Sequence, residues 1–103
     1  RVYAEVQAGR ILCQAHHVTG MDLESESLAK LIECCLGSAK LEPEAIGYVS
    51  AHGTGTLQND SAEMRGIASA MGSALGDVCV SATKSMIGHL VNAAGCAELA
   101  VTA

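Results

Sequence analysis

The stretch Tyr48-Val-Ser-Ala-His-Gly-Thr-Gly-Thr56 is a short apolar run that ends in a polar turn rich in glycine. A second stretch, Val80-Ser-Ala-Thr-Lys-Ser-Met-Ile-Gly-His89, has the same form. Both are typical of a buried strand that leads into a helix. Because the carboxyl ends of parallel strands meet at one edge of a sheet, we expect the residues after Val49 and Val80 to converge on one site.

The residues around these two stretches predict an alternation of strands and helices. The predicted elements are a strand or hairpin over 1–13, a helix over 25–38 that closes near Gly37, a strand over 46–50, a helix that begins at Asn59 or Asp60 and stops at Gly72, a strand over 78–80 and a helix over 90–103. In the second helix, Asp60 and Glu63 have the spacing of a capping box. The order predicts an α/β fold with a mainly parallel sheet and helices on both faces.

Composition excludes several classes of protein. The chain has 103 residues, which is at most one domain, and a formal net charge of −5 without a basic run, so nucleic acid is an unexpected partner. No apolar stretch reaches the roughly 20 residues that span a membrane, and no signal peptide pattern is present at the start, so we expect a cytoplasmic protein. The five cysteines lack zinc-type spacing and are expected to be reduced, buried thiols, with no metal site.

Two histidines and a lysine are the candidates for chemistry at the sheet edge. His52 and His89 could donate hydrogen bonds to a carbonyl oxygen on which negative charge develops, and Lys84 could hold an anion or tune a histidine. Glu63 is the expected counter-ion of Lys84. Taken singly, each residue also has a purely structural alternative, such as a histidine bonded to a backbone carbonyl or a solvated lysine.

A nucleophile is not predicted. No serine lies in a G-x-S-x-G turn. The cysteines fall within predicted helices or strands, where nothing lowers the pKa of a thiol. The chain therefore supplies acid, base and oxyanion-binding groups without the group that would form a covalent intermediate.

Taken together, the motifs resemble the C-terminal half of the β-ketoacyl-acyl carrier protein synthases, the condensing enzymes of fatty acid and polyketide synthesis. The similarity runs from Arg1-Val-Tyr-Ala-Glu5 through His17-Val-Thr19 to the end of the chain. Its most specific segments are Ala51-His-Gly-Thr-Gly-Thr56, Asn59-Asp-Ser-Ala-Glu63, Lys84-Ser-Met-Ile-Gly-His89 and Ala93-Ala-Gly95. The order and separation of these segments make a strong signal where each histidine alone is a weak one.

The resemblance implies a thiolase-like fold, of which residues 1–103 would be part of the second half. The half that carries the nucleophilic cysteine and the last C-terminal segment would lie outside this chain, and the chain alone would then not complete the condensation.

The resemblance also implies roles for six residues. His52 and His89 would bind the malonyl thioester carbonyl and stabilise the enolate. Lys84 would order the site electrostatically and Glu63 would pair with it. Thr54 and Thr56 would hydrogen-bond the phosphopantetheine arm.

The partners implied by the resemblance are an acyl carrier protein, malonyl and acyl thioesters, and a second copy of the full-length protein. No bound cofactor is implied, because the carrier protein brings the phosphopantetheine with it. Two alternatives stay open: a non-catalytic partner subunit of the chain-length-factor type, and a plain α/β interaction domain. The sequence does not separate fatty acid from polyketide synthesis.

Overall fold

The computed structural model describes residues 1–18 and 22–103. Its helices and strands are, in chain order, α1 (Glu26–Ala39), β1 (Tyr48–Ser50), α2 (Leu57–Met71), β2 (Cys79–Ser81), α3 (Lys84–Ile87) and α4 (Ala94–Thr102). Short 3-10 turns lie at Pro43–Ala45, Gly72–Asp77 and Val91–Ala93. Thr19, the last residue of the His17–Thr19 similarity, lies outside the described residues.

The two strands pair in parallel, with Tyr48 opposite Cys79 and Ser50 opposite Ser81. Side chains alternate between the faces of a strand, so Val49 and Val80 point to the same face. That face packs on a core built mainly from α1 and α2. The core residues are Ala29, Ala51, Ile67, Ala70 and Met71. The predicted α/β fold with a parallel sheet is thus confirmed, and it places the ends of both strands at one edge.

Helix α1 follows the predicted apolar spacing closely. It runs from Glu26 to Ala39, one residue later at each end than predicted. Gly37 does not close it, because Lys40 takes the left-handed conformation (φ 56°) and its N–H bonds to the carbonyls of Leu36 and Gly37. A left-handed residue after the last turn is a common way to satisfy the final helix carbonyls.

The first predicted element, a strand or hairpin over 1–13, is wrong for the described residues. This segment has no regular secondary structure and makes no strand pairing there, and Val2 and Val6 are 85% and 76% exposed. Alternating side chains are compatible with a strand, but a strand forms only where a neighbouring edge accepts its backbone hydrogen bonds. Arg10 instead donates a side-chain hydrogen bond to the Ser38 hydroxyl of α1.

Helix α2 begins at Leu57, two or three residues earlier than predicted, and its cap is different. Thr56 is the N-cap, and its hydroxyl accepts the backbone N–H of Asn59. The Asp60 carboxylate bonds to the N–H of Gly55 instead. The predicted capping box of Asp60 and Glu63 is therefore wrong, whereas the predicted stop at Gly72 is confirmed.

The C-terminal region contains two helices where one was predicted. Lys84 begins the short helix α3, Gly88 ends it with φ 76°, and α4 begins only at Ala94 after a 3-10 turn. The glycine permits a positive φ that other residues adopt at a cost. The chain therefore changes direction at Gly88, and His89 lies in the connection between the two helices.

Large apolar side chains remain exposed over much of the surface. Ile11, Leu57 and Met86 are 99%, 88% and 84% exposed. Among residues 1–18 and 22–103, no helix combines the length and the apolar character needed to cross a membrane.

Candidate active site

The ends of β1 and β2 are held together at the carboxyl edge of the sheet. Ser50 lies opposite Ser81, and the backbone N–H of Ala51 donates to the carbonyl of Ser81 at 2.8 Å. His52 follows directly on one strand, and the segment that leads to Lys84 and His89 follows on the other. The parallel pairing thus delivers both motifs to the same place.

His52 and His89 meet at this edge. Their ring centroids are 5.3 Å apart and the ring planes are nearly perpendicular, at 83°. Both residues are exposed. The expected convergence of the two histidines is confirmed, and their rings are open to a ligand.

The hydrogen bond made by His89 defines its tautomer. The backbone N–H of Val91 donates to Nδ1 of His89 at 3.0 Å. A ring nitrogen that accepts a hydrogen bond carries no proton, so the neutral imidazole has its N–H at Nε2. His89 is therefore prepared to donate from Nε2 to an oxygen atom.

The backbone around His52 is held by Glu63. One carboxylate oxygen accepts the N–H of His52 at 2.5 Å, and the other accepts the N–H of Gly53 at 2.8 Å. The side-chain amide of Asn59 donates to the second oxygen at 3.2 Å. Three donors on one carboxylate fix the orientation of the His52 peptide, because charge-assisted hydrogen bonds are stronger than neutral ones.

Lys84 is paired with Glu98 of α4, so the predicted ion pair with Glu63 is wrong. The Lys84 and Glu98 side chains are 5% and 16% exposed. The Glu63 carboxylate instead accepts hydrogen bonds from the backbone of the His52 loop. Sequence reasoning missed Glu98. The signal that could have identified it is that Glu98 is the only acidic residue in the sequence after Asp77.

The threonine loop lies next to His52. The hydroxyls of Thr54 and Thr56 are 2.9 Å apart and hydrogen-bonded to each other. The N–H of Gly55 between them donates to Asp60 at 3.2 Å, which ties the loop to the first turn of α2. Two hydroxyls are therefore presented side by side in the loop that follows His52.

A comparison with protein-family models matches residues 3–103 to the C-terminal domain of the β-ketoacyl synthases. The chain belongs to this family. The predicted resemblance is thus confirmed over nearly the whole chain, and the motif residues of the site lie within the matched range.

Two 3-oxoacyl-[acyl-carrier-protein] synthases and a polyketide ketoacyl synthase subunit are similar to this chain. It is 42% identical to 3-oxoacyl-[acyl-carrier-protein] synthase 2 of Vibrio cholerae over 99% of its own length and 25% of the relative. It is 40% identical to the chloroplastic 3-oxoacyl-[acyl-carrier-protein] synthase I of Arabidopsis thaliana, over 98% of this chain and 21% of the relative. It is 39% identical to the alpha ketoacyl synthase subunit of the tetracenomycin polyketide synthase of Streptomyces glaucescens, over 98% of this chain and 24% of that relative. The chain therefore spans about a quarter of the synthases that it matches.

Among solved ketosynthases, one from a type II polyketide synthase has a closely similar fold. The TM-score is 0.79 at 32% identity, over 88% of this chain and 22% of that one. That ketosynthase was solved in complex with its acyl-carrier protein and bound to the hexaketide. The likeness confirms the thiolase-like assignment of this part of a ketosynthase.

The cysteines of this ketosynthase domain are free but mostly not buried. Cys13, Cys34, Cys79 and Cys96 are exposed, so the predicted burial is wrong for these four, and Cys35 is only half-buried. The prediction was inferred from their apolar sequence contexts, which do not determine whether a side chain is covered by another element. Within residues 1–18 and 22–103, no three histidine, cysteine or acidic residues are grouped closely enough to hold a metal ion.

Proposed function

We propose that the full-length protein is a β-ketoacyl-acyl carrier protein synthase. It joins an acyl thioester to the malonyl group of a carrier protein with loss of carbon dioxide, in fatty acid or polyketide synthesis. The observation that carries this proposal is the edge-to-face pair of His52 and His89, 5.3 Å between centroids, in which Nδ1 of His89 accepts the N–H of Val91 and Nε2 is left to donate. Relatives from both pathways are equally similar, so the proposal stops at the reaction they share.

The two imidazoles act on the thioester carbonyl of the malonyl group. When the malonyl carboxylate leaves as carbon dioxide, its bonding electrons form an enolate with negative charge on the thioester oxygen. N–H donors that already point to this oxygen stabilise the charge without having to reorganise during the reaction. His52 and His89 supply those donors from the carboxyl ends of the two neighbouring strands.

The carbon–carbon bond then forms at the enolate carbon. This carbon attacks the carbonyl of an acyl group held as a thioester on a cysteine, and the cysteine thiolate leaves. That cysteine is expected from the rest of the full-length protein, so the chain by itself would not carry out the condensation.

Lys84 and the two threonines have supporting roles in this proposal. The Lys84 ammonium is buried beside the Glu98 carboxylate at the start of α3, and there it orders the site electrostatically. The adjacent hydroxyls of Thr54 and Thr56 hydrogen-bond the phosphopantetheine arm that brings the malonyl group. Replacing Thr54 with valine should then raise KM for malonyl-carrier protein more than it lowers kcat.

An acyl carrier protein is the proposed macromolecular partner, and the similar ketosynthase solved with its acyl-carrier protein supports it. We also propose a homodimer of the full-length protein, a cytoplasmic location and no resident cofactor, because the phosphopantetheine arrives on the carrier protein. Sedimentation of the full-length protein with and without its carrier protein tests the dimer and the complex together.

The decisive experiment measures carbon dioxide release from malonyl-carrier protein by the full-length protein. His52→Ala and His89→Ala should each lower kcat by about 100-fold to 1000-fold, which is the usual effect of removing one oxyanion donor. His16→Ala is the matched control, because His16 is exposed and lies on the segment before α1, and it should keep wild-type kcat. Full activity in both site variants would contradict the proposal.

The same assay tests the alternative of a non-catalytic, chain-length-factor-type subunit. The presence of His52, Lys84 and His89 together favours the enzyme, because a subunit without chemistry does not need all three. If the wild-type protein, freed of any separate ketosynthase, releases no carbon dioxide, that result would favour the subunit instead.

A further inference from the structure

Gly53, the residue after His52, is in close contact with Ala82, the residue after β2. Gly53 has a φ of +48°, and a Cβ atom placed on it would lie 2.3 Å from the Cβ of Ala82. Carbon atoms that are not bonded prefer a separation of about 3.5–4.0 Å. A side chain at position 53 would therefore force one of the two loops to move.

This contact lies directly beyond the last hydrogen bond of the sheet edge. That bond joins the N–H of Ala51 to the carbonyl of Ser81 at 2.8 Å. Past it, the positive φ of Gly53 turns the first loop back against Ala82. The contact thus sets how closely the two loops approach after the strands end.

On the β1 side, the position of Gly53 is linked to that of His52. The N–H groups of both residues bond to the two oxygens of the Glu63 carboxylate, at 2.5 and 2.8 Å. The two peptides therefore move together. A shift of Gly53 away from Ala82 would displace the His52 ring.

On the β2 side, the short helix α3 connects Ala82 to His89. The carbonyl of Thr83 accepts the N–H of Met86 at 2.9 Å and of Ile87 at 3.2 Å, and Thr83 is buried. His89 follows at the end of this helical turn. A shift of Ala82 would therefore be transmitted through α3 to the second imidazole.

We propose that the contact between Gly53 and Ala82 sets the separation of the His52 and His89 rings, and that Gly53 and Ala82 are positioning residues for decarboxylation. Neither residue touches the reacting atoms. The proposal rests on the proposed function and adds to it the reason why the residue after the first histidine is glycine. It predicts that a larger side chain at this contact lowers the rate of decarboxylation because it changes the separation of the two imidazole rings.

The test uses Gly53→Ala, Ala82→Gly and the double variant in the full-length protein, with carbon dioxide release from malonyl-carrier protein as the assay. Gly53→Ala should lower kcat by about tenfold or more, because small displacements of catalytic groups have large effects on rate, while KM changes little. The double variant should recover most of the lost kcat, since removal of the Ala82 methyl makes room for the new one. Equal losses in the single and double variants would overturn the proposal.

Two controls separate the contact from backbone strain. Gly72→Ala places alanine at a φ of +53° with nothing within 4 Å of its Cβ, so it should lower the melting temperature and keep kcat. Ala82→Val adds bulk from the other side while Gly53 stays unchanged, and it should lower kcat even if Gly53→Ala fails to fold. Wild-type kcat in Ala82→Val and Gly53→Ala would overturn the proposal.

Crystal structures of the variants give a readout that does not depend on activity. The distance between the His52 and His89 ring centroids should exceed 5.3 Å in Gly53→Ala and return towards that value in the double variant. An unchanged distance in Gly53→Ala would overturn the inference. If His52→Ala and His89→Ala lose activity while Gly53→Ala does not, the proposed function stands and only this inference fails.

Discussion

Lys84 and Glu98 form an ion pair whose side chains are only 5% and 16% exposed. The pair joins the first residue of α3 to the middle of α4, so it fixes the two helices on either side of His89. A charge taken out of water requires a partner, because the loss of hydration is compensated only by the opposite charge. The pair therefore determines both the geometry and the electrostatics next to the histidines.

Replacing Lys84 with methionine should destabilise the full-length protein strongly, since it leaves the Glu98 carboxylate without its cation. Breaking a buried pair in this way lowers the free energy of unfolding by about 3–5 kcal/mol. Replacing both partners, in Lys84→Met with Glu98→Leu, should recover most of that stability and little of the decarboxylation activity. Urea unfolding and the carbon dioxide assay measure the two effects separately.

The exposed pair of Lys30 and Glu33 on α1 provides the matched control. Its side chains are 68% and 50% exposed at a separation of 3.3 Å. Lys30→Met should change the free energy of unfolding by no more than about 0.5 kcal/mol. Similar effects of the two lysine replacements would contradict the burial of the Lys84 pair.

Glu63→Gln should impair catalysis through His52. A glutamine side chain has one acceptor oxygen and one NH₂ donor. Its NH₂ group would face one of the two backbone N–H groups that bond to the Glu63 carboxylate in the wild type, and two donors cannot pair. We expect kcat for decarboxylation to fall by about tenfold or more, with a smaller change in KM. Glu33→Gln, on the exposed face of α1, should leave both constants unchanged, and an equal effect of the two changes would argue against this role of Glu63.

Local patterns predicted the elements that local interactions determine. The apolar spacing placed α1 within one residue at each end, and the two polar turns after apolar runs placed His52 and His89 at one edge. The strand over 1–13 was wrong because strand formation depends on a neighbouring edge, which alternation of side chains does not reveal. The partner of Lys84 was wrong because the approach of α4 depends on the turn at Gly88, and Glu98 is 14 positions away in the chain.

Thr56→Ala should destabilise α2 at its first turn. The Thr56 hydroxyl accepts the N–H of Asn59, and loss of an N-cap hydroxyl lowers the free energy of unfolding by about 1 kcal/mol. Thr56→Ser keeps the acceptor oxygen and should retain most of that stability. Thermal unfolding of the two variants checks the cap, and an alanine variant as stable as the serine variant would mean that Asp60 caps the helix after all.

Gly66→Ala and Gly37→Ala should change stability in opposite directions. Both glycines lie inside helices, where alanine is favoured over glycine by about 0.5–1 kcal/mol when nothing obstructs its methyl group. A Cβ at Gly37 meets nothing within 4 Å, whereas a Cβ at Gly66 would lie 2.8–2.9 Å from the side chain of Leu28 on α1. Gly37→Ala should therefore stabilise the protein, and Gly66→Ala should destabilise it by about 1–3 kcal/mol, as overpacking of a core does. Shortening Leu28 to alanine removes Cγ and Cδ2 but keeps the Cβ at 2.9 Å, so it should relieve part of the cost of Gly66→Ala. Chemical unfolding of these four variants measures the close approach of α1 and α2, and a stabilising Gly66→Ala would show that the two helices are farther apart than the structure places them.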